Sequence, residues 1–231
     1  VLVRDVAVRH GIREIDALRR LAAYLIENIS ARMSATRLRQ PLGIASAATI
    51  LKWCQYFSDA YLFDFVPIYS PSVRTQMVNP RKVYCVDTGL QHVLSATTAP
   101  DDARGFENLV YLALRRFCRD VFYFDEGKGE CDFVPLRGKR AGAPVQATVE
   151  LNDETEEREI GGVRQAMRTL KRKVGWVVTI ADEDELTFDE GTVRIVPFHK
   201  FNPEETLNGC RSIDDQSSLT RRRERAVEVS T

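Results

Sequence analysis

The stretch between Gly105 and Leu151 constrains the possible folds of the chain more than any other part. It begins with an amphipathic helix that carries Glu107, and three strands follow it. The second of these strands carries Asp132, just past a glycine-rich turn. An acid on a helix and an acid on a neighbouring strand can converge at the mouth of a sheet, where one or two carboxylates typically hold Mg²⁺. The pattern therefore predicts an α/β domain with an acidic pair at one end of its sheet.

The composition is that of an ordinary globular protein, with 44% hydrophobic and 29% charged residues in a chain of 231. The 33 basic and 33 acidic residues balance, so nucleic-acid binding would need a local patch. Because no apolar run is long enough to cross a bilayer and the start does not resemble a signal peptide, we expect a cytoplasmic protein without a membrane partner. The five cysteines include no C-x-x-C pair and are expected to be reduced core thiols.

The amino-terminal part predicts three helices. Residues 1–13 are interpreted as a connector, and apolar residues in 14–29 then recur with the period of a helix that buries one face. A second, short helix is expected at 34–40, and a third at 46–60. Three helices with a tight turn between the last two predict a helix-turn-helix.

Two strands, at 61–69 and 81–87, are joined by a long polar loop and complete a winged helix over residues 14–90. The basic residues of this region that could meet phosphates are Lys52, Arg74, Arg81 and Lys82. Only Lys52 lies on the third helix. A DNA recognition helix normally carries more base-reading and phosphate-binding groups. We therefore favour a winged helix that contacts a protein partner, with weak and salt-dependent nucleic-acid binding as the alternative.

The rest of the chain predicts a linker at 91–104 and an α/β domain at 105–207. After the stretch that ends at Leu151 we expect a helix at 154–170, a strand buried on both faces at 174–180, and two closing strands. The periodicity is lost from residue 208 onward, so the tail at 208–231, which includes the basic run RRRER, is expected to be disordered.

The order of several short motifs resembles a known family. GFEN at 105–108, followed by GKGECDFV at 127–134, resembles the helix acid and the strand aspartate of the PD-(D/E)xK nuclease fold. Together with KVYCVDTGL at 82–90, these motifs resemble the carboxyl-terminal half of prokaryotic AAA+-type ATPases. The resemblance implies a winged helix-turn-helix followed by a restriction-endonuclease-like α/β domain with a mixed central sheet.

The strand after Asp132 departs from the nuclease pattern. Active members of that fold carry an acid, a spacer and a lysine there, and the lysine stabilises charge at the attacked phosphate. This chain has Gln146, Ala147 and Thr148 instead. Since an amide is a poor metal ligand and threonine carries no charge, the resemblance implies a nuclease fold without nuclease activity. Its vestigial site would comprise Glu107, Asp132, Gln146 and Thr148, with weak Mg²⁺ binding at Glu107 and Asp132.

Alternatives stay open at these positions. Glu107 can be an acid in the first turn of its helix that complements the helix dipole. Asp132 can accept hydrogen bonds from the backbone of the GKGE turn. A rearranged nuclease site is also open, with Glu150 as a displaced acid and Lys128 or Arg158 as the replacement cation, because position in space decides catalysis.

No phosphate-binding loop of the form G-x-x-x-x-G-K-[ST] occurs in the chain, although the family carries one in an amino-terminal domain. The resemblance implies that ATP and Mg²⁺ bind to an ATPase domain that this sequence lacks, and that this domain is a partner of the chain. We expect no cofactor in the chain itself. The leading hypothesis is a regulatory or partner-binding region of an AAA+-type ATPase. The alternatives are a metal-dependent nuclease with a rearranged site and a winged-helix DNA-binding module.

Overall fold

The computed structural model describes residues 2–89, 102–127, 129–152 and 155–208. These residues form a mixed α/β fold with one three-stranded sheet and one mixed, seven-stranded sheet. The predicted mixed α/β class is therefore confirmed. We call residues 2–89 the amino-terminal lobe and the described residues between 102 and 208 the carboxyl-terminal lobe.

The amino-terminal lobe consists of helices packed on a small antiparallel sheet with strand order β1-β3-β2. Their apolar faces meet in one core, with Leu18, Ile50 and Phe57 fully buried. After a π-helical segment at Leu2–Val8, the elements are α1 (Ile15–Glu27), β1 (Arg32–Met33), α2 (Ala35–Leu42), α3 (Ala47–Asp59), β2 (Phe63–Val66), α4 (Val73–Val78) and β3 (Arg81–Cys85).

The three helices expected from the apolar period are present, with small differences at their ends. The Ser46 hydroxyl caps α3 by accepting a hydrogen bond from the Thr49 N–H, whereas Ser34 precedes α2 without a side-chain cap bond. Pro41 lies inside the last turn of α2. The helix ends at Gly43, whose φ of 66° is the left-handed conformation that glycine adopts without strain.

The connection between β2 and β3 differs from the predicted polar loop. It contains the helix α4, whose apolar side chains Val73, Met77 and Val78 are 66%, 72% and 73% exposed. Six residues are too few to show a helical period in the sequence, so the pattern gave no signal for this helix. The connection therefore presents apolar side chains to solvent.

The carboxyl-terminal lobe has one helix on each face of the seven-stranded sheet. Trp176 and Val178 face the first helix, while Val177, Val193 and Ile195 face the second. The elements are α5 (Asp102–Phe117), β4 (Asp120–Asp125), β5 (Glu130–Arg137), β6 (Arg140–Ala141), β7 (Val145–Ala147), α6 (Glu156–Leu170), β8 (Val174–Thr179), β9 (Asp184–Phe188) and β10 (Gly191–Pro197), followed by 3-10 turns at Phe198–Lys200 and Pro203–Leu207.

The order of the large sheet is β4-β5-β7-β8-β10-β9, with β6 paired to β5. The strands β7, β8 and β10 run parallel to one another. The pairs β4–β5, β5–β7 and β9–β10 are antiparallel. Only Phe133 and Val145 pair between β5 and β7, so the ladder between these two strands is interrupted beside Asp132.

The helix α5 begins before the predicted domain boundary at residue 105. Its first-turn acid is Asp102, and Glu107 lies further along the helix. The interpretation of Glu107 as a first-turn acid is therefore wrong. Of the predicted linker at 91–104, the last three residues belong to α5, and the others lie outside the described ranges.

Two glycines bring α6 close to the sheet. A Cβ atom at Gly162 would lie 2.0 Å from the carbonyl oxygen of Glu130, and one at Gly175 would lie 2.3 Å from the Val163 side chain. At Gly161, by contrast, a Cβ atom would meet nothing within 4 Å. The close packing of α6 on β5 and β8 therefore requires glycine at 162 and 175, but not at 161.

The two lobes are joined through their backbones. The Tyr69 N–H donates to the Tyr123 carbonyl at 2.6 Å, and the Tyr123 N–H donates to the Pro67 carbonyl at 3.0 Å. These bonds place the chain that follows β2 beside β4, an outer strand of the large sheet. The amino-terminal lobe therefore covers that edge.

Further expectations concern the thiols, the tail and the membrane. Cys54, Cys85, Cys118 and Cys131 are buried and free, as predicted, whereas Cys210 lies outside the described residues. The predicted disordered tail also lies outside them, except for Asn208. Among the helices in the described part of the chain, none is both long enough and apolar enough to span a bilayer.

Candidate functional site

The two predicted acids meet a lysine where the lobes join. Nζ of Lys82, on β3, lies 2.7 Å from Oδ1 of Asp132 on β5 and 3.2 Å from Oε1 of Glu107 on α5. A third carboxylate, that of Glu130 at the start of β5, lies 3.1 Å from the same nitrogen. We call these four residues, Lys82, Glu107, Glu130 and Asp132, the Lys82 cluster.

The Lys82 cluster is largely shielded from water. Its side chains are 5% exposed at Lys82, 7% at Asp132, 15% at Glu107 and 45% at Glu130. Burial opposes the charged form of Lys82, but the attraction of the three carboxylates outweighs it and raises the pKa of Lys82. The carboxylates therefore favour the charged form of this buried lysine.

The alternation of β3 explains why Lys82 points towards the acids. Val83 and Cys85 face the core of the amino-terminal lobe, whereas Tyr84 packs in the core around α5. Since successive side chains of a strand point to opposite faces, Lys82 lies on the same face as Tyr84. The strand β3 is thus buried on both faces, and its polar side chains must find partners inside the protein.

Tyr84 holds the second acid in place. Its hydroxyl donates to Oε1 of Glu107 at 2.7 Å, and its ring stacks on that of Tyr111 with 4.2 Å between centroids. Burial and the neighbouring Asp132 raise the pKa of Glu107 to about 8, although Lys82 and Tyr84 act in the opposite direction. Glu107 therefore keeps its proton to a higher pH than an exposed glutamate does.

Gln146 stands where the nuclease pattern has a metal-binding acid, and both ends of its amide are used. Its Oε1 accepts the backbone N–H of Asp132 at 3.0 Å, and its Nε2 donates to Glu159 of α6 at 2.6 Å. The second oxygen of Asp132 accepts the Ala147 N–H at 3.1 Å. A carboxylate at position 146 would repel Glu159, so the amide suits its surroundings better than an acid.

The other residues of the expected vestigial site do not join the cluster. The strand β7 ends at Ala147, so Thr148 and Glu150 follow the strand. The Thr148 hydroxyl donates to the backbone carbonyl of Glu150, whose side chain is exposed.

Of the two predicted replacement cations, Arg158 does not contact the acids of the Lys82 cluster. The exposed Arg158 pairs with Glu159, at 2.5 Å between Nη2 and Oε1. Glu159 in turn accepts a hydrogen bond from the Gln146 amide. Lys128 lies outside the described residues. The cation that contacts the acids is Lys82, which the sequence placed among the residues that could meet phosphates.

The four basic residues expected to meet phosphates do not form one surface patch. Lys52 on α3 and Arg74 on α4 are exposed, and Arg81 is half-buried. The prediction that Lys82 contacts phosphate is wrong, because its side chain is buried among carboxylates. The alternation in RKVYC, with Val83 and Cys85 on one face and Tyr84 on the other, is the signal that could have placed Lys82 inside.

Arg32 of β1 extends the charged network to the surface. Its guanidinium lies 2.6 Å from Asp125 and 2.9 Å from Glu130, and it also lies over the ring of Tyr123, 4.9 Å from the centroid. Glu130 therefore bridges Lys82 and Arg32, and it closes the solvent side of the cluster.

Asn108, next to Glu107, fastens α5 to β3. Its side chain is fully buried; Oδ1 accepts the Cys85 N–H at 2.8 Å and Nδ2 donates to the Cys85 carbonyl at 3.0 Å. One amide thus satisfies both backbone groups of Cys85, as a neighbouring strand would. Asn108 belongs to the GFEN stretch, but sequence reasoning singled out only the acid there.

The residues as arranged do not fit Mg²⁺. Oδ1 of Asp132 and Oε1 of Glu107 both contact the Lys82 ammonium. A divalent cation would have to displace that charge. Within the described ranges, no group of three or more His, Cys, Asp or Glu side chains is arranged to hold a metal ion.

Part of the chain matches a protein family whose activity is not described. Residues 1–101 match a domain of unknown function, DUF8612. The matched region thus includes Lys82 but ends before Glu107 and Asp132.

Two relatives extend further along the chain. The chain is 33% identical over 216 residues to the uncharacterized protein MJ1544 of Methanocaldococcus jannaschii, covering 87% of this chain and 48% of that protein. It is 23% identical over 163 residues to an uncharacterized protein of Haemophilus influenzae, covering 68% of this chain and 40% of that protein. The chain thus spans about half the length, or less, of these curated relatives. No solved structure matches it significantly.

Proposed function

We propose that the chain is a regulatory or partner-binding region of a cytoplasmic AAA+-type ATPase, with a winged helix followed by a catalytically inactive, nuclease-like domain. In this proposal the acids of the nuclease-like domain hold Lys82 rather than a metal ion. The observation that carries the proposal is the 2.7 Å contact between Nζ of Lys82 and Asp132 inside a buried cluster.

The energetics of that contact favour an inactive site. To admit Mg²⁺, the protein would have to move Lys82 out of a place where three carboxylates surround it. Separating a buried ion pair costs about 3–5 kcal/mol, because a charge is left without its partner. The Lys82 ammonium, which β3 places between α5 and β5, is therefore favoured over Mg²⁺ at this position.

Two further observations support a place in a larger ATPase. The motifs KVYCVDTGL, GFEN and GECDF occur in the order that the family shows. The match covers only 48% and 40% of the two relatives, which leaves room for another domain in them. The exposed apolar side chains of α4, Val73, Met77 and Val78, offer a surface for a protein partner.

A cleavage assay tests the proposal. The purified chain is incubated with supercoiled plasmid, single-stranded DNA and RNA in Mg²⁺ or Mn²⁺, beside Asp132→Asn. We expect no cleavage above the level of the variant. Cleavage by the unchanged chain that disappears in Asp132→Asn would overturn the proposal.

The same contact favours one alternative, a metal-dependent nuclease with a rearranged site. In that case Lys82 would supply, from β3, the positive charge that Thr148 cannot supply from β7. The alternative requires metal binding by the unchanged chain, and cleavage that is lost in both Lys82→Met and Asp132→Asn. Isothermal titration with Mn²⁺ and the cleavage assay together separate the two proposals.

A further inference from the structure

The strand β9 leaves one edge of the large sheet open, since no described strand pairs with its outer side. On the neighbouring β10, the Thr192 N–H donates to the carbonyl of Lys173, which immediately precedes β8. The backbone groups of Thr192 therefore point away from β9. Thr187 lies directly opposite Thr192 in the antiparallel register, so its own N–H and C=O point to the open edge.

A groove of about 490 Å³ runs beside this edge, between β9 and the first half of α6. Its apolar lining consists of Ile160, Leu186 and Phe188. Leu186 and Phe188 are two residues apart on β9, so they share a face of that strand. A strand added to β9 would direct alternate side chains towards this apolar surface.

The rim of the groove is acidic. Glu156 and Glu157 line it with exposed side chains, and neither has an ion-pair partner in the part of the chain that the structure describes. Arg164 also lines the groove, but it pairs with Glu190 at 3.1 Å and lies over the Phe188 ring at 4.0 Å. The groove therefore suits an extended segment that combines positive charges with alternating apolar residues.

We propose that residues 221–231 of the same chain occupy this groove as a strand added to β9. The segment reads RRRERAVEVST. Its arginines supply the charge that the rim requires, and Val227 and Val229, two residues apart, share a face that suits the apolar lining. These residues lie outside the described ranges, so the assignment rests on charge complementarity, residue pattern and reach.

The segment can reach the groove. Asn208 lines the same cleft as Asp120 of β4 and Leu136 of β5, so it lies near the far side of the sheet. From β4 to β9 there are five strand spacings, about 24 Å in total at about 4.8 Å each. Residues 209–221 span up to about 43 Å when extended. A segment tethered in this way has an effective concentration on the order of millimolar, so a weak contact suffices to keep the groove filled.

Hydrogen exchange on the full chain tests the proposal, with the Thr187 amide as the probe. We expect this amide to exchange at least tenfold more slowly in the unchanged chain than in a variant with Arg221, Arg222, Arg223 and Arg225 all changed to Glu. The double variant Glu156→Lys with Glu157→Lys should show the same faster exchange. Combining both sets of changes should restore slow exchange, because the opposite charges then face each other again.

Matched controls separate docking from a general loss of structure. Arg211→Glu in the tail and Glu204→Lys on a different part of the surface should leave the exchange of Thr187 unchanged. Slow exchange of the Val177 amide in β8 reports that the fold is intact in every variant. Equal exchange of Thr187 in the unchanged chain and in the tail variant would overturn the proposal, as would a combined variant that fails to restore protection.

Discussion

Nζ of Lys82 lies 2.7 Å from Oδ1 of Asp132, although 50 positions separate the two residues in the sequence. A strand of the amino-terminal lobe thus supplies the positive charge for an acid of the carboxyl-terminal lobe. The strand after Asp132 lacks the lysine of the nuclease pattern, yet a lysine contacts the acid from another element. The contact joins the two lobes.

We expect Lys82→Met to destabilise the protein by about 3–5 kcal/mol, because it leaves buried carboxylates without their cation. Urea unfolding at pH 7 measures this loss. Lys200→Met, which removes an exposed partner of Glu183, is the matched control and should cost less than about 1 kcal/mol. Adding Asp132→Asn to Lys82→Met should recover part of the loss, since the two residues are in contact and their effects are coupled. A loss below 1 kcal/mol for Lys82→Met would contradict the structural role of the cluster.

Removal of Lys82 should also open the acids to a divalent cation. We expect Mn²⁺ to leave the thermal unfolding of the unchanged chain unaffected and to stabilise Lys82→Met. The stabilisation amounts to about 2.7 kcal/mol when the metal is present at a hundred times its dissociation constant. Lys82→Met with Asp132→Asn serves as the control and should lose the response. An equal response of the unchanged chain would show that the ammonium does not compete with metal.

The raised pKa of Glu107 predicts a particular dependence of stability on pH. Burial and Asp132 raise this pKa from an ordinary 4.5 to about 8, so between these values the folded chain holds a proton that the unfolded chain releases. The contribution is fully present below pH 4.5 and is lost as the pH rises towards 8, at up to about 1.4 kcal/mol per pH unit. Glu107→Gln should flatten this slope in urea unfolding between pH 5 and 8. The exposed Glu150→Gln should leave it unchanged, and a parallel slope in Glu107→Gln would contradict the assignment.

Asn108→Ala should destabilise the protein by about 2–4 kcal/mol, because it leaves the buried N–H and C=O of Cys85 without partners. Asn152→Ala, at an exposed position, is the control for the loss of an amide side chain. Equilibrium unfolding compares the two. Since Asn108 joins α5 to β3, hydrogen exchange of the Cys85 amide should rise in Asn108→Ala even under conditions where the protein stays folded.

Nucleic-acid binding should be weak and strongly dependent on salt. Of the four basic residues first considered, only Lys52 and Arg74 are exposed, so few phosphate contacts are available. Fluorescence anisotropy with a labelled duplex should give no sub-micromolar binding at 150 mM salt. Tight binding that is lost in Lys52→Ala with Arg74→Ala would identify the winged helix as a DNA reader instead.

The local pattern predicted most of the helices and strands, because their apolar periods are long enough to recognise. It also predicted that Glu107 and Asp132 lie at one end of a sheet. It did not predict Lys82 as their partner, since a lysine at the start of a strand beside a loop resembles a surface residue when only its neighbours are considered. The contact depends on how two lobes pack, and no period within either lobe contains that information.

Glycine and glutamine positions show the same limit. The Gly161–Gly162 pair lowers helix propensity equally at both positions, yet only Gly162 lies against the Glu130 carbonyl. Gln146 indicated only the loss of a metal ligand, whereas in the fold it links Asp132 to Glu159. The chemistry of each residue type was known from the sequence, but its neighbour was not.

The bonds of β3 have a consequence for how this protein can be divided. The match to DUF8612 ends at residue 101, but Lys82, Tyr84 and Cys85 have their partners beyond that point, on α5 and β5. A polypeptide cut there would lose the acceptors of a buried ammonium and a buried phenol, together with the apolar cover over one face of β3. The region that matches DUF8612 is therefore smaller than the unit that must fold cooperatively. The end of the match at residue 101 separates β3 from the helix and strand that share its core.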